Sequence, residues 1–409
     1  MCTVFVQVGQ CGNQIGHSLW KKVAKDDNVK RSHSFIAHDG KFRAVAVDSE
    51  PKVLHKVTHG QPYRECSVIS GKRGRGTNWA MGYHGLKKSG DDQLLESSIE
   101  AIRKEVERCS SFSGLIMLHS LSGGTGSGLG SRLCEALRDE FQLGHLISCA
   151  FVPHASGESP LQHYNSLLTL SHLQRFCDCI VLTHNDDVLN LVQKKKGSER
   201  VSFSQLNEHI AASLGGVLLP TDSLMPKSGH SIGQEPWEMI RSVCPVPSLK
   251  FAQLKHLSRS KVSWEGLMSQ MLLTLRKYNA INKPFSSLAN LIVARGDSTA
   301  SFQLSAKVLE EKVKTAYNSV PWNPYPVDIW TASNNTVGPK NSASVTIAAN
   351  STSVVEYLDV VLQRSKVMYD AGAYLHWYWK YGATKDDFDE AFNEVESVID
   401  SYNEATKPS

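Results

Sequence analysis

Residues 122 to 128 read SGGTGSG, set between an unbroken apolar run at Leu115 to Leu118 and a stripe of Leu129, Leu133, Leu137 and Phe141 at helical spacing. A chain that puts these residues between a buried strand and a helix is directed to an α/β fold with an anion site at the junction. Glycines let backbone N–H groups approach oxygen anions, and the helix beyond them turns its positive N-terminal end toward the same charge. Thr125 and Ser127 add hydroxyl donors. A flexible surface turn is the competing reading, since glycine clusters commonly mark turns. The strand before the cluster and the helix after it disfavour that.

Neither common nucleotide fingerprint fits. A Walker loop needs GxxxxGK[ST], and the nearest approach, Gly71 to Thr77, lacks the lysine; a dinucleotide turn needs GxGxxG, whereas Gly124, Gly126, Gly128 and Gly130 simply alternate. The missing GxGxxG and the lack of a catalytic constellation disfavour an unrelated enzyme on a nucleotide fold, such as a dehydrogenase. No histidine, His17 included, falls in HExxH or another ligand spacing.

Short apolar runs at Val4 to Val8, Ala44 to Val47, Leu115 to Leu118 and Leu146 to Val152 alternate with helical stretches, the pattern of a parallel sheet covered on both faces. The spacing predicts a helix over 93 to 109, with Leu95, Ile99, Ile102, Val106 and Cys109 stepping by four and three. Ligands of open α/β sheets bind at the carboxyl ends of strands. The loops holding Gln10 to Gln14, Asp48 to Glu50, Ser122 to Gly128 and Gly157 to Gln162 therefore converge on one crevice. A second helix opens at a capping box, Ser202 with Gln205, and carries Phe203, Leu206, Ile210, Leu214 and Val217 on one stripe. Proline and glycine thicken from Pro220 to Pro247 and mark a boundary. Beyond it, strands at Leu288 to Val293 and Ser344 to Ala349 and a helix near Trp264 to Tyr278 read as a smaller α/β unit. The end is helical, with Phe388, Phe392, Val395, Ile399 and Tyr402 after a Thr384 cap.

With 409 residues, 41% of them hydrophobic and 21% charged, the chain has globular composition and length for two or three packed units. No apolar run reaches membrane-spanning length, and MCTVFVQV moves directly into a strand, so membrane insertion is not expected. Nine scattered cysteines suggest reduced thiols in a cytosolic compartment, with Cys177 and Cys179 as core residues rather than zinc ligands. The most basic run, Lys194 to Lys196, reads as a solvated loop, and without interleaved aromatics nothing points to nucleic acid.

SGGTGSG at 122 to 128, GQCGNQIG at Gly9 to Gly16, DSEP at Asp48 to Pro51, TNWA at Thr77 to Ala80 and HWY at His376 to Tyr378 resemble the tubulin family rather than FtsZ, from the first strand to the last helix. VDSEPKVL, RKEVERCSSFSG, YNSLLTLSHL and SFSQLNEHI are most similar to its delta branch. The resemblance implies a tubulin/FtsZ-like parallel-sheet GTPase domain over 1–200, a core helix over 201–222, an intermediate domain over 223–350 and a C-terminal helical region over 351–409. It implies GTP or GDP with Mg²⁺ as cofactors. Ser120, Gly123, Gly124, Thr125, Gly126, Ser127 and Gly128 would surround the α- and β-phosphates, with Gln10, Cys11 and Gln14 giving donors to phosphate or sugar. Asp48 and Glu50 would approach Mg²⁺, largely through water. Asn78 corresponds to an asparagine at the terminal phosphates. Glu158 occupies a ribose position, although the glutamate more usual in the family stands at Gln162 here. Asn185 and Asn207 would read the base. Phe203 replaces the tyrosine that stacks on it in alpha- and beta-tubulin; stacking survives that change and a phenolic hydrogen bond does not. No NKxD motif is present, so the residues alone specify a purine and the resemblance specifies guanine.

In the family, an acidic residue of the next subunit completes hydrolysis. GQEPWEMIRSVCPVP puts Glu238 at that position, one turn after Glu235. The alternative for Glu238 is a solvated carboxylate on a helix face. The resemblance thus implies a GTP-binding protein of the cytoplasm and cytoskeleton that acts in microtubule organisation at centrioles, the centrosome, basal bodies or cilia. Its expected partners are other tubulin subunits, met by longitudinal contact, and centriole or basal-body proteins. A GTP-bound scaffold or regulator that does not polymerise is the alternative, because AQLKHLSRSKVS between Phe251 and Trp264 is shorter than the loop used by polymerising tubulins for side-by-side contacts. The sequence stops at Lys407, Pro408 and Ser409 without the acidic tail of alpha- and beta-tubulin, so tail-reading motors and enzymes are not expected as partners.

Overall fold

A computed structural model describes every residue except 86–92, 143, 158, 198–199, 222–232, 297–298 and 408–409. The strands are β1 Cys2–Val8, β2 Ala44–Asp48, β3 Val68–Ser70, β4 Phe112–Ser120, β5 His145–Val152, β6 Cys179–His184, β7 Phe251–Arg259, β8 Ser287–Arg295, β9 Val327–Ala332 and β10 Ala343–Ser351. The helices are α1 Gly9–Val23, α2 Asp27–Ser32, α3 Pro51–Thr58, α4 Trp79–Tyr83, α5 Gln93–Glu107, α6 Gly130–Glu140, α7 Gln162–Phe176, α8 Asn185–Lys196, α9 Phe203–Leu218, α10 Glu238–Val243, α11 Trp264–Leu273, α12 Thr299–Ala316, α13 Ser353–Asp370, α14 Leu375–Lys380 and α15 Lys385–Ala405. Two compact units result: Met1–Ser18 with His33–Asn207 and Tyr357–Ile399, and Leu19–Ser32 with Glu208–Glu356 and Asp400–Ser409.

The first unit holds strands in the order β3-β2-β1-β4-β5-β6. All are parallel, with Val6 opposite Val45 on one side and Met117 on the other. All seven residues of β1 are buried, as a strand covered on both faces requires. On α5 the buried face is Leu94, Ser98, Ala101, Ile102 and Glu105, one residue away from the apolar stripe expected from the sequence. The helix turns because Glu105 takes a core position: Arg64 donates to it at 2.7 Å, Ser67 at 2.8 Å and Arg108 at 3.0 Å. Those three donors satisfy a carboxylate that would otherwise be excluded from the interior.

In the second unit β10 runs antiparallel to both β7 and β8, and β9 is parallel to β8. Trp264, Leu267 and Met268 of α11, Phe302 and Leu309 of α12, and Ile292 and Val345 of the strands form its core. The buried Arg295 gathers the end of α9, donating to the carbonyls of Gly216, Leu219 and Pro220, which have no partner further along the helix. The expected helix from Trp264 to Tyr278 stops at Leu273, because Asn279 closes the next turn by accepting the N–H groups of Ile281 and Lys283. Lys194 to Lys196 end α8 instead of forming a loop. The capping box is present: Ser202 N–H donates to Gln205 Oε1 at 3.1 Å, and Gln205 N–H to Ser202 Oγ at 3.4 Å.

Candidate nucleotide site

The strand order of the first unit grows outward in two directions from β1 and β4, so the crevice of a doubly wound sheet lies between those two strands. The chain leaves β1 into α1 through GQCGNQIG and leaves β4 through SGGTGSG, which brings both motifs to that point. Gly9 adopts φ +75°, and a Cβ built on it would lie 3.0 Å from Gly126 N. The start of α1 is therefore seated on the glycine turn.

That turn is regular: Gly124–Leu129, read from the sequence as a glycine loop, is a π-helical turn running directly into α6. Its glycines serve two purposes. A Cβ on Gly124 would come within 2.3 Å of Arg75 O, one on Gly126 within 2.9 Å of Ser120 N, and one on Gly128 within 2.1 Å of Trp79 O. These positions are glycine because backbone packs on them from behind. Gly123 differs, with φ −85°, ψ 151° and nothing within 4 Å of its Cβ position. No steric demand of the protein requires glycine there, and the space in front of it stays open for a ligand to approach the backbone.

The loop hydroxyls have partners of their own. Thr125 Oγ1 shares a 2.7 Å hydrogen bond with Ser49 Oγ, at the end of β2. Ser127 Oγ donates to Gly123 O, so this hydroxyl braces the turn. Ser120 Oγ accepts Ser122 N–H at 3.2 Å. Beneath the turn, the fully buried His119 lies 3.0 Å from Gly126 O through Nδ1 and 2.8 Å from Ser148 Oγ through Nε2. A carbonyl only accepts, so Nδ1 carries the proton and Nε2 receives the serine hydroxyl. Burial lowers the His119 pKa to about 4, holding the ring neutral.

Asn165 on α7 has no solvent exposure, and nothing in its local sequence marks it as part of the site. Its Nδ2 donates to Thr77 O and Ser122 O, both at 2.7 Å; its Oδ1 accepts Trp79 N–H at 2.9 Å and the Tyr378 hydroxyl at 2.7 Å. TNWA, SGGTGSG, YNSLLTLSHL and HWY thus meet at one amide. A long-range hub of this kind leaves no local periodicity to find. Asn78, between two of these contacts, is 3% exposed; its Oδ1 accepts Met81 N–H at 3.1 Å, while its Nδ2 is buried without a partner among the described residues. A buried amide with unused donors is costly unless something accepts from it.

On α1, Gln10 is exposed and Cys11 and Gln14 are half-buried. Burial pushes the Cys11 thiol up to about 12, so it is neutral and can offer its backbone but no thiolate. Asn13, unremarked in the sequence, ties the helix start to β2 by donating to Gly9 O and Val47 O at 2.9 Å. Asp48 is buried at the end of β2, and burial raises its carboxyl to about 6. Glu50 is exposed, and its Oε1 would be 2.4 Å from a Cβ on Gly74, so its side chain leans over the 71–77 turn.

Asn185 starts α8, and its neighbour Asp186 accepts Ala155 N–H at 2.7 Å and pairs with His154 at 2.5 Å, which pins the stretch after β5. Glu158 lies outside the described residues. Gln162 is 7% exposed and folded against Gly157, whose Cβ position is 2.0 Å from Gln162 Oε1. Phe203 is 65% exposed at the first residue of α9, with half-buried Asn207 one turn later. Packing and hydrogen bonds join Gly9 and Ser49 to the 120–130 segment directly, and Asn165 links that segment to Thr77 and Trp79 on either side of Asn78. The structure does not bring Asn185, Phe203 and Asn207 into that hydrogen-bonded group, and Glu238 belongs to the second unit. There Glu238 is 8% exposed and accepts the N–H groups of Gly233, Gln234 and Glu235 at 3.1, 2.9 and 3.0 Å. It is a capped, buried carboxylate, unlike the solvated one that a helix face would offer.

Residues 3–193 match the Tubulin/FtsZ family GTPase domain. Tubulin delta chains of Homo sapiens and Mus musculus are each 30% identical, over 465 and 468 residues, covering 98% of this chain and 99% of theirs. A tubulin beta chain of Pyropia yezoensis is 26% identical over 439 residues, covering 98% of this chain and 93% of its own. Guanine-nucleotide binding and a place in the cytoskeleton follow from that membership, with other tubulin subunits as partners. From its first strand to its last helix, the chain belongs to the tubulin family and is similar to the delta branch.

Proposed function

We propose that this protein binds GTP together with Mg²⁺ and acts in microtubule organisation at centrioles, basal bodies or cilia, as a delta-type tubulin. The observation that carries the nucleotide reading is Gly123, glycine without a steric reason of the protein's own, beside the unsatisfied buried amide of Asn78. Backbone N–H groups of 123–128 and the first turn of α1 would hold the phosphates, and Asn78 would donate to the terminal one. Asn185 and Asn207 would read the base, with Phe203 stacked on it. Asp48 and Glu50 supply hard carboxylate oxygens of the type Mg²⁺ takes, and a cation there would offset the burial that disfavours the Asp48 anion. When bound, the ion neutralises phosphate charge.

Hydrolysis is completed in this reading by Glu238 of one subunit at the nucleotide of the next. Within a single chain the Glu238 carboxylate is engaged by three backbone N–H groups of its own loop, which supports slow turnover by the isolated protein. The test is nucleotide content and GTP turnover, with sedimentation state, for the protein alone and mixed with alpha/beta-tubulin. Turnover that appears on assembly and disappears in Glu238→Gln is the expected result. Rapid turnover by dilute monomer, unchanged in Glu238→Gln, would overturn it.

One observation favours the scaffold alternative: only four residues, 260–263, separate β7 from α11, leaving little chain for lateral contacts. Bound nucleotide without turnover in either sample would select that reading.

A further inference from the structure

We propose that Asn165 is the positioning residue of the phosphate site and that the Tyr378 hydroxyl, on α14, holds it in place. The inference rests on the nucleotide reading above and extends it to two residues that touch no ligand.

Asn165 can donate two hydrogen bonds and accept two through its side chain. All four are made, and three of the partners fix the amide's orientation. Thr77 and Ser122 present carbonyls, which need donors; Trp79 presents an N–H, which needs an acceptor, and the Tyr378 hydroxyl donates to that same oxygen. Reversing the amide would lose the bonds to Thr77, Ser122 and Trp79 and leave only the Tyr378 hydroxyl, which can accept as well as donate. The consequence is metric. Thr77 and Trp79 flank Asn78, while Ser122 immediately precedes Gly123, so a single side chain sets the separation between the asparagine aimed at the terminal phosphate and the open glycine of the loop. Both segments also touch directly, since a Cβ on Gly82 would be 2.0 Å from Gly124 O. Small errors in Asn165 would therefore appear as displacement of phosphate donors.

Tyr378 has no solvent exposure and donates to Asn165 Oδ1 at 2.7 Å across 213 residues of sequence. Its ring packs edge-on against Tyr164 at a 5.4 Å centroid distance, with Phe388 also 5.4 Å away, so the hydroxyl is held rather than free to swing. Tyr164 provides a matched comparison. Its hydroxyl donates to Ala373 O at 3.2 Å and not to Asn165.

The experiment measures release of a fluorescently labelled guanine nucleotide, chased with excess unlabelled nucleotide, from the full chain and from Asn165→Asp, Tyr378→Phe and Tyr164→Phe, with thermal unfolding recorded for each. Tyr378→Phe should release nucleotide about fivefold faster, the effect of one hydrogen bond, and Tyr164→Phe at the wild-type rate even if both lower the melting temperature alike. Asn165→Asp sets a carboxylate oxygen against two carbonyls and should release faster still; should it fail to fold, the two tyrosine variants decide the matter. Wild-type release from folded Tyr378→Phe, or equal acceleration in Tyr164→Phe, overturns the inference while leaving the nucleotide reading intact. Failure of the wild-type chain to bind labelled guanine nucleotide overturns both.

Discussion

Ser49 and Thr125 lie 76 positions apart in the chain and share a hydroxyl hydrogen bond of 2.7 Å. It ties the end of β2, where Asp48 is buried, to the π-turn beyond β4, so the carboxylate and the glycine turn are set against each other by one short contact. Ser49→Ala and Thr125→Val should each destabilise the fold by about 1 kcal/mol, and together by clearly less than the sum. A double-mutant cycle in urea checks this. Strict additivity would show that the two hydroxyls do not act as a pair.

Phe203 exposes 65% of its surface while starting a well-capped helix. Little of its packing supports the fold, so Phe203→Ala should change stability by no more than about 0.5 kcal/mol. Guanine-nucleotide affinity should fall by about 1–3 kcal/mol, the worth of a base stacked on an aromatic ring. Equilibrium binding and thermal unfolding on the same sample separate the two effects. An affinity equal to wild type would remove Phe203 from the site.

His119 makes stability fall in mild acid. Its folded-state pKa, about 4, lies below the ordinary 6.5, so the unfolded chain takes up a proton that the folded chain refuses. Full stability is present above pH 6.5 and is lost progressively down to about pH 4, with about 2 kcal/mol gone at pH 5. His172, lowered to about 4 chiefly by burial, acts in the same direction. Asp48, raised to about 6, acts oppositely, because its burial penalty is relieved on protonation. Urea unfolding at pH 7.5 and pH 5 should show a smaller acid loss in His119→Gln than in wild type. Equal losses would mean that His119 titrates normally.

Glu105 has no exposure and accepts from Arg64, Ser67 and Arg108. Glu105→Ala removes the acceptor shared by two guanidinium groups and opens a cavity, which should cost about 3–5 kcal/mol. A loss under about 1 kcal/mol by urea unfolding would show that solvent readily replaces the carboxylate.

Local patterns carried much of this architecture in the sequence. Short, largely apolar runs gave β1, β2, β4 and β5 within a few residues, because a parallel strand buried on both faces needs no alternation. The Ser202 and Gln205 cap marked α9 because both partners lie within one turn. The features that stayed hidden depend on distant partners. The rotated face of α5 requires Arg64 from another segment to make a buried glutamate acceptable. Asn165 reads as one more polar residue in YNSLLTLSHL until Thr77, Ser122 and Tyr378 surround it. The glycines of SGGTGSG were legible as a motif, but the reason for three of them is backbone pressing from behind, which only the packed fold displays.

The π-turn at Gly124–Leu129 has a consequence for length rather than for composition. A π-turn holds one residue more than an α-helical turn, and each residue of an α-helix rotates the remainder of the helix by about 100°. That extra residue is what lets Leu129, Leu133 and Leu137 all stay buried while Gly123 keeps its open side. Substitutions in the loop act one site at a time, whereas a single deletion would turn the whole of α6 away from its core. The residue number of the segment is therefore held as firmly as the glycines at 124, 126 and 128 are.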